Sequence, residues 1–187
     1  SLPNLRFLEL LWMDNAKGEL KIPFHFLNGA KKLEHLTLDY SNKLSFSGRA
    51  VEIVPSLLGF SARGCGIKGL DFRSFQGTSS LTRLWLDWNE VSSFQHAMFI
   101  HGEFSKLDKL YLNNNLITNI EWFSDEEFID RTQIVQRSMK FFNDTSFNLM
   151  PDLTILCLEA NRIKQIKNNT FIGLGNLKEL KLSDNIL

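Results

Sequence analysis

The chain has 187 residues, 21 basic side chains balanced by 21 acidic ones, and 43% hydrophobic content. This excludes a globally basic nucleic-acid binder and a disordered segment, since a chain of this length buries roughly 70% of its unfolded surface. No apolar run approaches the roughly 18 residues of a membrane span, Ser1-Leu2-Pro3-Asn4 lacks the order of a signal peptide, and two cysteines are too few to staple a small secreted module.

A frame of the form L-x-x-L-x-L-x-x-N-x-L runs along the whole chain. It opens with Leu5, Leu8 and Leu10, returns at Leu33, Leu36, Leu38, Ser41 and Phe46, and again at Leu57, Phe60, Ala62, Cys65, Ile67 and Leu70. The cleanest copy is Leu81, Leu84, Leu86, Asn89 and Val91, followed by Leu107, Leu110, Leu112 and Asn115. Two more are Leu153, Leu156, Leu158, Asn161 and Ile163, then Leu177, Leu180, Leu182, Asn185 and Leu187. Successive starts lie 28, 24, 24, 26, 46 and 24 residues apart, so one interval is about twice too long. A frame at Ile129 places Thr132, Ile134, Arg137, Met139, Phe142, Phe147 and Met150 in the slots and splits that interval into 22 and 24. The run Phe142 to Leu153 also aligns with Ile166 to Leu177. We therefore expect a worn repeat over 121–152 rather than an insertion, although Thr132 and Arg137 are poor core residues. The expected whole is a single domain over 1–187 of about eight coils, a fragment without end caps.

The spacing dictates a coil. In L-x-x-L-x-L the second and third apolar residues alternate with polar ones, so a short strand turns them inward and pairs in parallel with the same strand one coil away, about 4.8 Å distant. The Asn slot follows the strand where the chain turns, and its amide can satisfy backbone groups that would otherwise be buried unpaired. Phe75, Phe147 and Phe171, each six residues before the next strand's first Leu, are placed to fill the far side of the core. No coil buries its apolar face alone, so stability comes from stacking.

These motifs resemble the leucine-rich-repeat family, and the return Phe171-Ile-Gly-Leu174 looks like its extracellular branch. The uneven repeat lengths are most similar to Toll-like receptor ectodomains. The resemblance implies an α/β solenoid, a horseshoe arc with a parallel sheet on its concave face and irregular or short-helical convex segments. It also implies a non-enzymatic binding module of an innate-immune pattern-recognition receptor, in an extracellular or luminal ectodomain of a single-pass membrane receptor. Its partners would be a microbial ligand, a protein, or a second receptor chain in a dimer. Alternatives on the same fold are an adhesion or matrix interaction protein and an antigen binder like the variable lymphocyte receptors.

Outward positions on each strand form columns along the concave sheet. One column reads Glu9, Thr37, Ser61, Trp85, Tyr111, Gln133, Cys157 and Lys181; another reads Leu11, Asp39, Arg63, Asp87, Asn113, Val135, Glu159 and Ser183. A third reads Trp12, Tyr40, Gly64, Trp88, Asn114, Gln136, Ala160 and Asp184. Trp85, Trp88 and Tyr111 are therefore expected to cluster as a binding hot spot, with Tyr40 and Trp12 farther along. Arg83, Lys109 and Arg131 would form a basic ladder beside it, and Arg83, Lys109 and Asp87 are expected to contact the ligand with the aromatic residues, but the nearby Asp87, Asp108 and Asp130 disfavour nucleic acid as that ligand.

Other chemistry reads as scaffold. Gly64-Cys-Gly66-Ile-Lys-Gly69 spells a dinucleotide fingerprint, yet Cys65, Ile67 and Leu70 occupy core slots and no long helix follows, so no cofactor is expected. Asp125, Glu126, Glu127 and Asp130 lack calcium-loop spacing, and His96 and His101 fit no zinc pattern, so no metal is expected either. Cys65 is expected buried and Cys157 outward, four coils or roughly 19 Å apart, too far for a disulfide. Two sequons, Asn143-Asp-Thr145 and Asn168-Asn-Thr170, fall on the convex side and are candidate glycosylation sites.

Overall fold

The computed structural model describes residues 2–13, 20–22, 27, 29–41, 43–46, 54–68, 75, 77–92, 104–118, 120, 150–168, 170–171 and 173–187. Among the described residues there are nine three-residue strands: β1 Phe7–Glu9, β2 Leu20–Ile22, β3 His35–Thr37, β4 Leu44–Phe46, β5 Gly59–Ser61, β6 Arg83–Trp85, β7 Lys109–Tyr111, β8 Ile155–Cys157 and β9 Glu179–Lys181. Seven of them form one parallel sheet in the order β1-β3-β5-β6-β7-β8-β9, and β2 pairs with β4 in a second, two-stranded parallel sheet that the repeat frame did not foretell. Among the described residues the coils return without an α-helix.

Register follows the frame. Leu8, Leu36, Phe60, Leu84, Leu110, Leu156 and Leu180 are mutual partners from strand to strand. Leu36, Phe60, Leu84, Leu110 and Leu156 are buried in the core, Leu8 is half-buried and Leu180 on β9 is exposed, while of the flanking Leu slots Leu33, Leu57, Leu81, Leu107 and Leu153 are fully buried. Behind the sheet, Phe75 packs edge-on against Phe60 at 5.2 Å and lies 5.8 Å from Phe104, so a file of rings joins two successive coils. Phe104 does this from three residues before Leu107, a place the frame did not single out. Phe171 packs partly against the core, and Phe147 lies outside the described residues.

The Asn slot works as a ladder. Asn89 Nδ2 donates to Ala62 O of the preceding coil and to Leu86 O of its own, while its Oδ1 accepts from Cys65 N and Ile67 N. Asn115, Asn161 and Asn185 repeat the pattern. Each amide thereby satisfies buried backbone groups on two coils at once.

One expectation fails. β7 pairs directly with β8, Lys109 with Ile155 and Tyr111 with Cys157, so the frame at Ile129 contributes no strand between them. Asp108 O accepts from both Thr154 N and Ile155 N, Leu112 N donates to Cys157 O, and Asn161 reaches across to Leu112 O. The bonds that an intervening coil would have taken are already made. A coil carrying Thr132 and Arg137 in core slots would also have buried polar groups without partners. The principal sheet thus steps from the coil at Leu107 to the coil at Leu153, with seven strands where eight were expected. Residues 121–149 themselves lie outside the described residues.

Candidate functional site

Because register is shared, outward side chains form the columns foreseen, without the members between 121 and 149. Trp85 and Tyr111 are partners on β6 and β7, and their rings stack in parallel, 5.8 Å apart and 7° from coplanar. The Arg63 guanidinium sits over the Trp85 ring, 5.3 Å from its centroid. On the N-terminal side Phe7 and His35 stack at 5.1 Å, 3° from coplanar. Gly59 lies between the two pairs, and a Cβ there would come within 2.6 Å of His35 Nδ1 and 3.3 Å of Trp85 Cζ3. Glycine at 59 therefore lets both rings close over β5. The result is an aromatic strip from Phe7 to Tyr111 across five strands.

Arg63 was not singled out in the sequence, although the alternation Asp39, Arg63, Asp87 in one column carried the signal. It lies 3.5 Å from Asp39 and 3.3 Å from Asp87, bridging three coils. Asp39 Oδ1 also accepts from Ser61 Oγ at 2.6 Å and from Arg63 N. Asp87 Oδ1 accepts from Asn113 N at 3.0 Å. Asp87, expected to meet ligand, is buried and committed to this lattice, and burial raises its pKa above the ordinary carboxylate value despite the Asn113 and Arg63 bonds. It holds Arg63 against Trp85 rather than facing solvent.

The basic ladder is shorter than expected. Arg83 and Lys109 are partners on adjacent strands, but Ile155 and then Glu179 continue the column, because β8 follows β7. Arg131 lies outside the described residues. Cys157, expected to look outward, is only 2% exposed, in the column between Tyr111 and Lys181. Burial pushes its thiol up to about 11, and does the same for Cys65. Three strand spacings separate the two cysteines, not four, or roughly 14 Å, and both are free.

Trp88 is not part of the Trp85–Tyr111 stack. Trp12, Tyr40 and Trp88 occupy the turn after the strand, at φ of 55°, 59° and 60°, and Trp12 stacks on Tyr40 at 4.7 Å. The aromatic residues grouped by sequence thus divide into a concave strip and an edge ledge. The Gly64-Cys-Gly66 stretch is a turn with both glycines at positive φ, and Cys65 is buried within it with its Sγ donating to Leu38 O, which is scaffold geometry. Asn168 is exposed in the return segment, whereas Asn143, the pair His96 and His101, and the acidic cluster at Asp125 to Asp130 lie outside the described residues. Among the described residues no three His, Cys, Asp or Glu side chains converge on a metal-sized site, and no helix is long and apolar enough to cross a membrane.

Three comparisons bear on this arrangement. A leucine rich repeat family model matches residues 134–187, beginning inside the stretch that contributes no strand between β7 and β8. Toll-like receptor 3 of Boselaphus tragocamelus is 28% identical over 137 residues, covering 58% of this chain and 15% of that protein. Among solved structures, the TLR13–ssRNA13 complex superposes with a TM-score of 0.75 at 23% identity, covering 98% of this chain and 22% of the TLR13 chain. The Drosophila Toll–Spätzle complex does so at 0.61 and 18%, covering 95% of this chain and 25% of the Toll chain. The chain therefore spans a quarter or less of the length of each of these proteins. The repeat frame, the in-register parallel sheet and these likenesses together give the chain a leucine-rich-repeat fold, a stretch that resembles part of a Toll-like receptor ectodomain.

Proposed function

We propose that this chain is a ligand- or protein-binding module of an extracellular or luminal Toll-like pattern-recognition receptor, and that the concave strip centred on Trp85 and Tyr111 contacts the ligand. The observation that carries the reading is the preorganised stack Arg63–Trp85–Tyr111, half-buried on the open face of the sheet and held by the Asp39–Arg63–Asp87 lattice. Rigid aromatic anchors beside an arginine are the composition of an interface hot spot, and their fixed rotamers lower the entropic cost of binding. The similarity to Toll-like receptor 3 supports the receptor assignment.

A protein ligand is favoured over nucleic acid. Both faces of the Trp85 ring are covered, one by Arg63 and one by Tyr111, so a base cannot stack there without displacing one of them. The cationic column stops after Arg83 and Lys109, too short a run to track a phosphate backbone. The solved TLR13 complex contains single-stranded RNA and the Toll complex contains Spätzle, so both ligand classes belong in the test.

The immobilised chain is to be exposed to single-stranded RNA, to double-stranded RNA and to a panel of secreted and microbial surface proteins. A ligand whose affinity falls about tenfold in Trp85→Ala and in Tyr111→Ala, beyond any change in folded fraction, supports the concave site. A bound ligand indifferent to both substitutions removes it. An RNA ligand whose affinity drops steeply with salt would overturn the preference for protein.

A further inference from the structure

Among the described residues, four lysine or arginine side chains stand on the outward columns of the principal sheet, namely Arg63, Arg83, Lys109 and Lys181. Two of them are neutralised where they stand, Arg63 by Asp39 at 3.5 Å and Asp87 at 3.3 Å, and Lys181 by Glu179 at 3.1 Å. Arg83 and Lys109 are not. They face each other as register partners on β6 and β7, and neither side chain has a carboxylate or hydrogen-bond partner among the described residues. The nearby acids are engaged elsewhere, since Asp108 accepts from Thr154 Oγ1, and Asp87 from Asn113 N and Arg63. Like charges on facing positions of paired strands repel. A sheet that pairs its other cations and sets these two against each other carries a local conflict at its surface, and such conflict marks a place shaped by something other than folding.

Their surroundings limit what can relieve it. Toward the N-terminus the column continues at Gly59, over which the rings of His35 and Trp85 close. Toward the C-terminus it continues at half-buried Ile155 and then at Glu179. Alongside, in the neighbouring column, run Trp85, Tyr111 and the buried Cys157. The patch is therefore two cations followed by an aliphatic step, walled on one side by stacked aromatic rings and ended by an acid.

This order acts as a template. A carboxylate shared between Arg83 and Lys109 lies one and a half strand spacings from Ile155, about 7 Å along the column. In an extended chain, side chains on one face are two residues apart, which is again about 7 Å. An acidic residue and an apolar residue at that interval set the carboxylate between the two cations and the apolar side chain on Ile155. A second acid farther along the column meets Glu179 and is repelled. The phosphates of a nucleic acid recur at every nucleotide and find no cation at Ile155, so they match a single step of the column.

We propose that Arg83, Lys109 and Ile155 recognise an extended protein segment in which an Asp or Glu and an apolar residue stand two positions apart. The inference rests on the concave face being the binding surface, and it names the part of a protein ligand that this face takes. Fluorescein-labelled Gly/Ser peptides carrying Asp, Asn or Lys, with Leu either two positions away or adjacent, are titrated against the chain by fluorescence polarisation. The Asp peptide with Leu two positions away should bind with a Kd between roughly 10 µM and 1 mM, weakening as salt is added. Asn in place of Asp, or Leu moved to the adjacent position, should raise that Kd about fivefold or more. Arg83→Gln and Lys109→Gln should do the same while keeping or raising the Tm, because each removes a like-charge contact, so lost binding is not lost folding. The double variant Arg83→Glu, Lys109→Glu should transfer the preference to the Lys peptide, which a purely structural role would not do. The assignment is overturned if no Asp peptide binds, if Asn serves as well as Asp, or if either Gln variant binds normally. A single-stranded RNA hexamer that binds more tightly than the Asp peptide and loses affinity in Arg83→Gln overturns it in favour of phosphate. Peptide binding that ignores Asp against Asn but falls in Trp85→Ala leaves the concave reading standing and removes this inference alone.

Discussion

Asn115 shows how one side chain can matter to two coils. Its Nδ2 donates to Leu86 O at 2.9 Å and Leu112 O at 3.1 Å, and its Oδ1 accepts from Val91 N at 3.0 Å. Asn115→Ala leaves these buried groups unpaired and should cost about 3 kcal/mol or more, since each unsatisfied group carries its own desolvation penalty. In a chain of this size that lowers the Tm by roughly 6–12 °C. Ser41 fills the same slot two coils from Asn89, but its hydroxyl is buried and finds no partner among the described residues. Ser41→Ala should therefore leave the Tm unchanged or raise it, and a large loss there would contradict the ladder account. Asp87 provides a pH test. Its pKa is raised by burial in the folded state, so folding takes up a proton over the interval between the ordinary carboxylate value and the raised one. Its contribution is fully present below that interval and declines as pH rises through it, then stays constant. Denaturant titrations across the acid range should show this slope in the difference between wild type and Asp87→Asn, and a difference independent of pH would remove it.

At the level of elements, the decisive feature is that β7 and β8 are neighbours although their frames start 46 residues apart. Ile120 and Met150, the nearest described residues on either side of the long interval, are both buried. Replacing 121–149 with a short Gly/Ser linker that restores a spacing near 24 should therefore leave the sheet paired and unfolding cooperative, because loop length alone changes closure entropy slowly. The check is far-UV circular dichroism and the urea midpoint. A collapse of cooperative unfolding would show that the excised stretch holds the coils together.

Taken whole, the molecule is quasi-one-dimensional, with each coil stabilised by the coils above and below. The ring file Phe60, Phe75 and Phe104 runs along that axis. Phe75→Ala, which opens a cavity in contact with two neighbouring coils, should cost about 3–5 kcal/mol. The same long-axis arrangement keeps the sheet clear of the return segments, where Asn168 is exposed while Thr170 is buried with its hydroxyl accepting from Lys167 N at 2.9 Å. We expect a glycan at Asn168 in protein from secretory cells, lost in Asn168→Gln without effect on concave binding. Because the fold buries Thr170, attachment should precede closure of that turn, and folded protein from bacteria should be a poor acceptor in vitro. Mass spectrometry of the three preparations checks this.

The amino-acid sequence alone determined the coil, the inward Leu column, the parallel register and the role of the Asn slot. Those depend on local period and on backbone groups that must be paired wherever the chain goes, and both are written within a single repeat. It also placed Trp85 beside Tyr111, because neighbours in a solenoid share a repeat position. It could not decide whether the long interval before Leu153 held a strand, since a worn frame and an insertion look alike until a partner strand claims the hydrogen bonds. Nor could it separate Trp88 from Trp85, which differ by three positions but fall on opposite sides of the strand's end, where φ changes sign. The commitment of Asp87 to Arg63 and the covering of Cys157 likewise arise only when side chains from three coils compete for one space, and that competition exists only in the stack.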